Sequence, residues 1–468
     1  MADNTSVMKK NFPVFDCDSH INDPVEIWTE YVEPEYRDLV RQSYWRDDRQ
    51  AIINGRARST AGGANADFGR YNVITISGPG IDRVTKRRLQ FEVLDDEKRD
   101  YLDHKGAYDP AARVKDLDLL GIDQVMIIPT AIVGGYAFVE NIDGAHALAR
   151  AYNNWADDFC KAYPDRLYAA GWLPLQNATY AADEMNRIAK NGVRMALVRP
   201  IDARGNYPSQ ISGYGARNGW DKIFRTFEET GMVLGMHTFP SGVMPLDASM
   251  ERMFSPGQLV DKSAHEVGFL QGLNSQTLSF IYEATTWLTM VLLSGFLDRY
   301  PKLRMAILES NATWLVGVLE QLDRHFQLFA NERRSPAKRL PSEAFYEQCF
   351  ISFESDETGV FRQWDAFQNV GIWASDVYHH DGSDVWEAIK AMEDVEVPEE
   401  AQAKLLGGNA YGMYGIEPKT FVNEQLPLPA RPDWFPSREE IDEFARTQRD
   451  PNNVAELRVK AEAAQQRL

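Results

Sequence analysis

The chain has 468 residues, 44% hydrophobic and 25% charged, which is the composition of a soluble globular protein with ample material for a core. Its formal net charge is −19 and its longest basic run is Lys86-Arg87-Arg88, so neither nucleic acid nor an anionic membrane surface is an expected partner. No stretch approaches the roughly 20 apolar residues of a membrane span. MADNTSVMKKNF has no apolar leader core and Cys17, Cys160 and Cys349 form no C-x-x-C pair, so a reduced, cytoplasmic setting is expected.

The first element, FPVFDCDSHINDP (12–24), combines a short buried strand at Phe12, Val14 and Phe15 with Asp16, Asp18 and His20 at alternate positions. Alternate residues of an extended chain share a face, so three metal-competent side chains are expected on one side, with Cys17 on the other in the core. Asp23-Pro24 ends the strand. A mixed segment follows over 25–40, then a charged, Gly- and Ala-rich stretch over 41–105 with no clear period, expected as an excursion over the mouth of the fold.

From Tyr108 the pattern is regular. DPAARVKDLDLLG predicts a helix stopped by Gly121, GIDQVMIIPT (121–130) a buried strand, and 144–162 a long helix. Strands are predicted at 167–174, 193–200 and 232–240, with helices between them. An insertion covers 242–280; a helix at 281–299, a strand at 303–310 and a helix at 314–329 follow. The last units are strands at 348–355 and 371–376 and helices near 384–393 and 399–406. Continuous apolar strands alternating with helices about eight times predict a parallel sheet closed into a distorted (β/α)8 TIM barrel. No strand is followed by a Gly-rich dinucleotide fingerprint. The barrel is assigned to 12–417, with lid-like insertions at 41–105 and 242–280, and 418–468 is a C-terminal extension. Its proline-rich start and Trp434-Phe435 suggest an arm that wraps a neighbouring subunit, in a homo-oligomer or beside a paralogue.

In such a barrel the chemistry gathers where strands end. Those ends supply Asp16, Asp18, His20 and Asp23, then His237, then Glu309, then Glu354, and finally Asp376 with His379 and His380 just after. Each has a bland alternative: His237 as a core histidine, Glu309 and Asp376 as helix caps, Glu354 as a loop-ordering carboxylate, the last of these being preferred. His379 and His380 are adjacent, so only one faces a common site. His104, His146 and His325 read as structural, and His265 is ambiguous.

The motifs FDCDSHINDP, GFLDRYPKLRMAILESNATWL, ISFESDE, ASDVYHHDG and GGNAYGMYG resemble the amidohydrolase-related branch of the amidohydrolase superfamily, over residues 12–416. The resemblance implies a divalent metal on Asp18, His20, His237 and Asp376. The sequence departs from many relatives in having Asp18 where they carry a first histidine, and Glu309 where decarboxylases carry a second. Arg199-Pro200 stands where a bridging lysine would be. Asp18, Asp23, Glu309 and Asp376 around one cavity call for one ion or two, zinc, or iron and manganese if the site is dinuclear.

Two function classes follow. One is hydrolysis or decarboxylation of a small organic acid or amide-like substrate, with Asp376, Glu309 and His380 catalytic and Arg199 pairing with a substrate carboxylate. The other is a dinuclear iron or iron–manganese oxygenase on the same barrel, with Asp23 and Glu309 completing the second metal site.

Overall fold

The computed structural model describes residues 7–46, 51–58, 78–81, 83–89, 95–102, 104–130, 132, 139–200, 219–238, 280–332, 335–379 and 382–447. Most of the insertion at 242–280, with His265, and also His380, lies outside them.

Strand β1 spans Phe15–His20 and is buried along its whole length. It is followed by a small antiparallel sheet of β2 (Tyr44–Arg46), β3 (Ala51–Ile53) and β4 (Arg56–Arg58), inside a stretch expected to be irregular. The barrel continues with β5 (Gln124–Ile128), β6 (Leu167–Trp172), β7 (Met195–Val198), β8 (Val233–His237), β9 (Met305–Leu308), β10 (Cys349–Phe353) and β11 (Gly371–Trp373). These run in the order β1-β5-β6-β7-β8-β9-β10-β11, every pair parallel. Eight parallel strands with helices around them form a nearly closed, distorted (β/α)8 barrel.

Local chemistry explains why the units begin and end as they do. Asp109 caps the helix Pro110–Leu120 by accepting from the backbone amides of Ala111 (2.7 Å) and Ala112 (3.1 Å), and Pro110 fills the first turn, where no amide is needed. Gly121 stops that helix at φ +79°, in the left-handed region a side chain would disfavour. Asn141 and Asn177 cap the helices Ile142–Lys161 and Ala178–Lys190 in the same way. Outside the strands, Trp220, Phe224, Trp287 and Phe296 form a buried aromatic layer between helices and sheet. Each such ring contributes roughly 1.5–3 kcal/mol on leaving water.

The seam lies between the first strand and the last. Asp376 N donates to Asp18 O (3.0 Å) and His20 N to Val377 O (2.5 Å). Beneath them the Asp16 carboxylate accepts from Ser375 N (3.0 Å) and Ser375 Oγ (2.5 Å). At the opposite end, Asp123 accepts from Val14 N, Phe421 N and Val422 N and pairs with the buried Lys10, stapling both flanks of the barrel to its floor.

The described part of the C-terminal extension packs on its own chain. Phe435 joins Ile81, Leu89 and Leu102 in a small apolar cluster, with Trp434 against it. Phe435 is thus buried among residues of the first insertion, with Trp434 half-buried beside it.

Candidate metal centre

The ends of β1, β8 and β9 and the turn after β11 deliver the polar groups. Asp18, His20, His237 and Asp376 are all buried. His20 Nε2 lies 3.1 Å from Asp18 Oδ1 and 3.4 Å from Asp376 Oδ1. His237 Nε2 lies 3.7 Å from Asp18 Oδ2 and 3.2 Å from Glu309 Oε2.

Hydrogen bonds on the far edges of the two imidazoles fix which nitrogen carries the proton. His237 Nδ1 is 2.7 Å from the carbonyl of Thr238, so it donates there and Nε2 is unprotonated. The Thr130 hydroxyl gives its proton to Ile21 O (2.6 Å) and accepts from His20 Nδ1 (3.2 Å), which also faces Pro129 O at 3.2 Å. In the neutral ring His20 Nε2 is then bare as well. Burial holds the His237 pKa down at about 4, so this ring stays neutral at ordinary pH. Burial pushes the Asp18 carboxyl up, and His237 and His379 pull it partly back.

The His20 and His237 nitrogens and the Asp18 carboxylate thus meet in one small volume, with Asp376 beside His20. Asp18 Oδ1 and His237 Nε2 are buried and make no hydrogen bond. One proton on Asp18 would satisfy one of these contacts; a cation satisfies all of them. Donors sharing an ion at about 2.0–2.2 Å stand roughly 3–3.5 Å apart, close to the separations found here. The residues fit a divalent metal.

Two overlapping clusters are able to hold an ion, Asp18–His20–His237 and His20–Asp376–His379. Both use His20, and Asp376 is grouped with His20 and His379 rather than with Asp18 and His237. His379 stacks on His20, centroids 3.8 Å apart and planes 23° apart, and its Nδ1 is 2.9 Å from Asp376 Oδ1. Lone pairs lie in the ring plane, so two stacked rings cannot both aim at one ion. His379 instead orients Asp376.

The remaining expected residues take other places. Glu309 borders the centre, its side chain 15% exposed toward a small pocket shared with Asp18, Asn311, Glu354 and Asp376. Asp23 joins neither cluster; its Oδ2 accepts from Thr130 N at 3.1 Å. Asp16 is occupied by Ser375 and by the amide of Asp18, so only two of the three alternating residues of β1 reach the centre. Arg199 is buried behind β8, donating to His237 O (3.2 Å) and to Glu283 (3.4 Å). Glu357 orders the loop that carries Glu354: its carboxylate accepts from Glu354 N (3.1 Å) and Ala312 N (2.8 Å). Thr130 and Thr238 were missed by sequence reasoning, although each follows a buried strand at its polar end.

The backbone is bent where the ligands sit. Glu309 (φ +49°) and Asp376 (φ +52°) occupy the left-handed region, a strain of about 1–3 kcal/mol each that the surrounding structure must offset. Thr238 Oγ1 donates to Glu309 O, and Glu309 N donates to Ser352 Oγ (3.2 Å), lacing the ends of β8, β9 and β10 together.

Comparison with known proteins agrees with this architecture. A family model described as amidohydrolase matches residues 16–416. An amidohydrolase from Mycobacterium avium subsp. paratuberculosis superposes with TM-score 0.64 at 18% identity, covering 86% of this chain and 100% of that one. The 5-carboxyvanillate decarboxylase of Novosphingobium aromaticivorans, crystallised with manganese and 4-hydroxy-3-methoxy-5-nitrobenzoic acid, gives 0.57 at 18%, covering 87% and 99%. A dihydroxybenzoic acid decarboxylase from Polaromonas, holding manganese and 2-nitroresorcinol, gives 0.53 at 15%, covering 86% and 97%. No curated protein sequence matches the chain.

Proposed function

The chain belongs to the amidohydrolase family, and from the centre it carries we propose that it is a metal-dependent enzyme that decarboxylates a small organic acid on a single divalent ion. The observation that carries this reading is the convergence of two unprotonated, buried imidazole nitrogens with Asp18 and Asp376. Asp18, His20, His237 and Asp376 would hold the ion. When bound, it would supply Lewis acidity toward a carboxylate or carbonyl oxygen.

The chain's own residues do the rest. Arg199 grips the carbonyl of His237 and so keeps that ring turned to the centre. Glu309, beside His237 Nε2 and partly open to the pocket, is placed to give a proton to the carbon that loses its carboxyl group. His379 steadies Asp376. What supports decarboxylation is that two decarboxylases of this fold were crystallised with manganese and nitro-substituted aromatic ligands. Hydrolysis of an amide-like bond is the second reading. It is favoured by Asp376, whose carboxylate could take a proton from an attacking water.

The test is elemental analysis of the purified chain, followed by assay of aromatic and enoic acids and of amides, with and without Mn²⁺ and with and without oxygen. About one ion per chain is expected, lost in Asp18→Asn and in His237→Ala, with CO₂ released in the absence of oxygen. Retention of the ion when His20 and His237 are both alanine would end the reading. Turnover that requires oxygen would point to the oxygenase class instead.

A further inference from the structure

The last-strand ligand Asp376 sits on a turn whose next residues, Val377 and Tyr378, are both buried. The Tyr378 ring is held from several sides. Its hydroxyl donates to Asp116 at 2.6 Å, and the Arg113 guanidinium lies 4.8 Å from its centroid. The imidazole of His104 stacks on it, centroids 5.2 Å apart and planes 20° apart. Arg113 also donates to His20 O (2.9 Å) and Ser19 Oγ (2.9 Å), so the same group touches both sides of the seam.

His104 does not belong to the barrel; it ends the first insertion. It is backed by the tight turn Gly78–Ile81, packed so closely that a methyl group at Gly78 would lie 2.3 Å from the imidazole. That turn is gripped by the C-terminal extension. Arg431 donates to Gly80 O (2.9 Å) while its guanidinium covers Phe435 (4.6 Å), and Leu428 fills the space where a side chain on Gly80 would go. Phe435 packs on Ile81, Leu89 and Leu102, and Trp434 meets Tyr101 edge-on at 5.3 Å. The helix Arg438–Thr447 buries Ile441 and Phe444 and packs on Arg83–Leu89.

We propose that the C-terminal segment 428–447 is a strap that sets the metal centre from a distance, with His104 as the positioning residue that transmits it to Tyr378 and so to Asp376. The contacts form an unbroken series: Phe435 and Arg431 fix the turn at 78–81, the turn fixes the His104 ring, and the ring fixes the tyrosine two residues from a ligand. A backbone at φ +52° has little intrinsic preference to stay there. Its geometry is therefore set by what packs around it.

This rests on the metal-centre reading, and the experiment separates the two. Mn²⁺ alone is titrated into metal-stripped full-length chain and variants, with thermal unfolding recorded in parallel. Binding by the wild type tests the centre itself. In a binding-competent chain, His104→Ala, Gly78→Ala and Phe435→Ala are each expected to weaken Mn²⁺ by about tenfold, the scale of losses when groups behind a ligand are removed. His104→Phe, which keeps a flat ring, is expected to restore wild-type binding. Wild-type affinity in His104→Ala overturns the proposal, and so does a His104→Phe chain as weak as His104→Ala. Should Phe435→Ala fail to fold, the His104 pair still decides.

Discussion

Thr130 holds four groups at once. Its hydroxyl donates to Ile21 O and accepts from His20 Nδ1, its amide donates to Asp23, and His379 Nε2 lies 3.3 Å from the same oxygen. It thereby selects the tautomer in which His20 Nε2 is bare, and steadies the ring that stacks on it. Thr130→Val keeps the shape and the amide bond to Asp23 but removes the hydroxyl's bonds, leaving His20 free to rotate or to carry its proton on the wrong nitrogen. Metal affinity is expected to fall roughly 10–100-fold with little change in fold, measured by Mn²⁺ titration alongside circular dichroism. Undiminished affinity would mean that the Pro129 carbonyl alone suffices to orient His20. The sequence shows the hydroxyl at a strand end but not its partners, which lie over a hundred residues away in the chain.

The elements meet at their ends, and Glu357 shows how. From the loop after β10 it accepts from the amide of Ala312 in the loop after β9, which keeps both loops at the rim of the pocket. Burial raises its pKa from 4.5 to about 7, aided by Asp356, while the amides of Ala312, Glu354 and Thr313 oppose the shift. The folded state therefore binds this proton more tightly than the unfolded chain. The resulting stability is complete below about pH 4.5 and is lost as pH rises through about 7. Urea unfolding of wild type and Glu357→Gln across that window should show a flatter pH profile in the variant; identical slopes would assign the titration elsewhere. The strands themselves are legible in the sequence because each is an apolar run closed by a polar residue, as in MVLGMH and LRMAILE. Which polar residue enters the site is not so legible. Asp23 and Asp16 have the right chemistry, yet a backbone amide and a serine at the seam reach them first. Such competition is settled by tertiary contacts that spacing does not encode.

At the scale of the molecule, the barrel is fastened at both ends. On the floor, Asp123 serves Lys10, Val14, Phe421 and Val422 together, and the segments on either side pair through Lys10 N to Asn423 O (2.9 Å) and Gln425 N to Met8 O (2.9 Å). Removing that carboxylate leaves a buried ammonium without its counter-charge and three amides without an acceptor. Asp123→Ala is expected to destabilise by about 3–5 kcal/mol, read from the urea midpoint at constant slope. A loss below about 1 kcal/mol would show that Lys10 escapes to water, since exposed pairs contribute little. The fold class was open to sequence reasoning because eight strand–helix units leave few arrangements. The course of the tail was not, because Trp434 and Phe435 read only as rings in need of cover, and nothing in the sequence says whose surface covers them. The seam has one more consequence. Asp18 and His20 lie on the first barrel strand and Asp376 follows the eighth, yet the seam sets His20 against both carboxylates. A chain that has not yet made its eighth barrel strand therefore holds Asp18 and His20 without Asp376, so a centre of the kind proposed closes only when the barrel does.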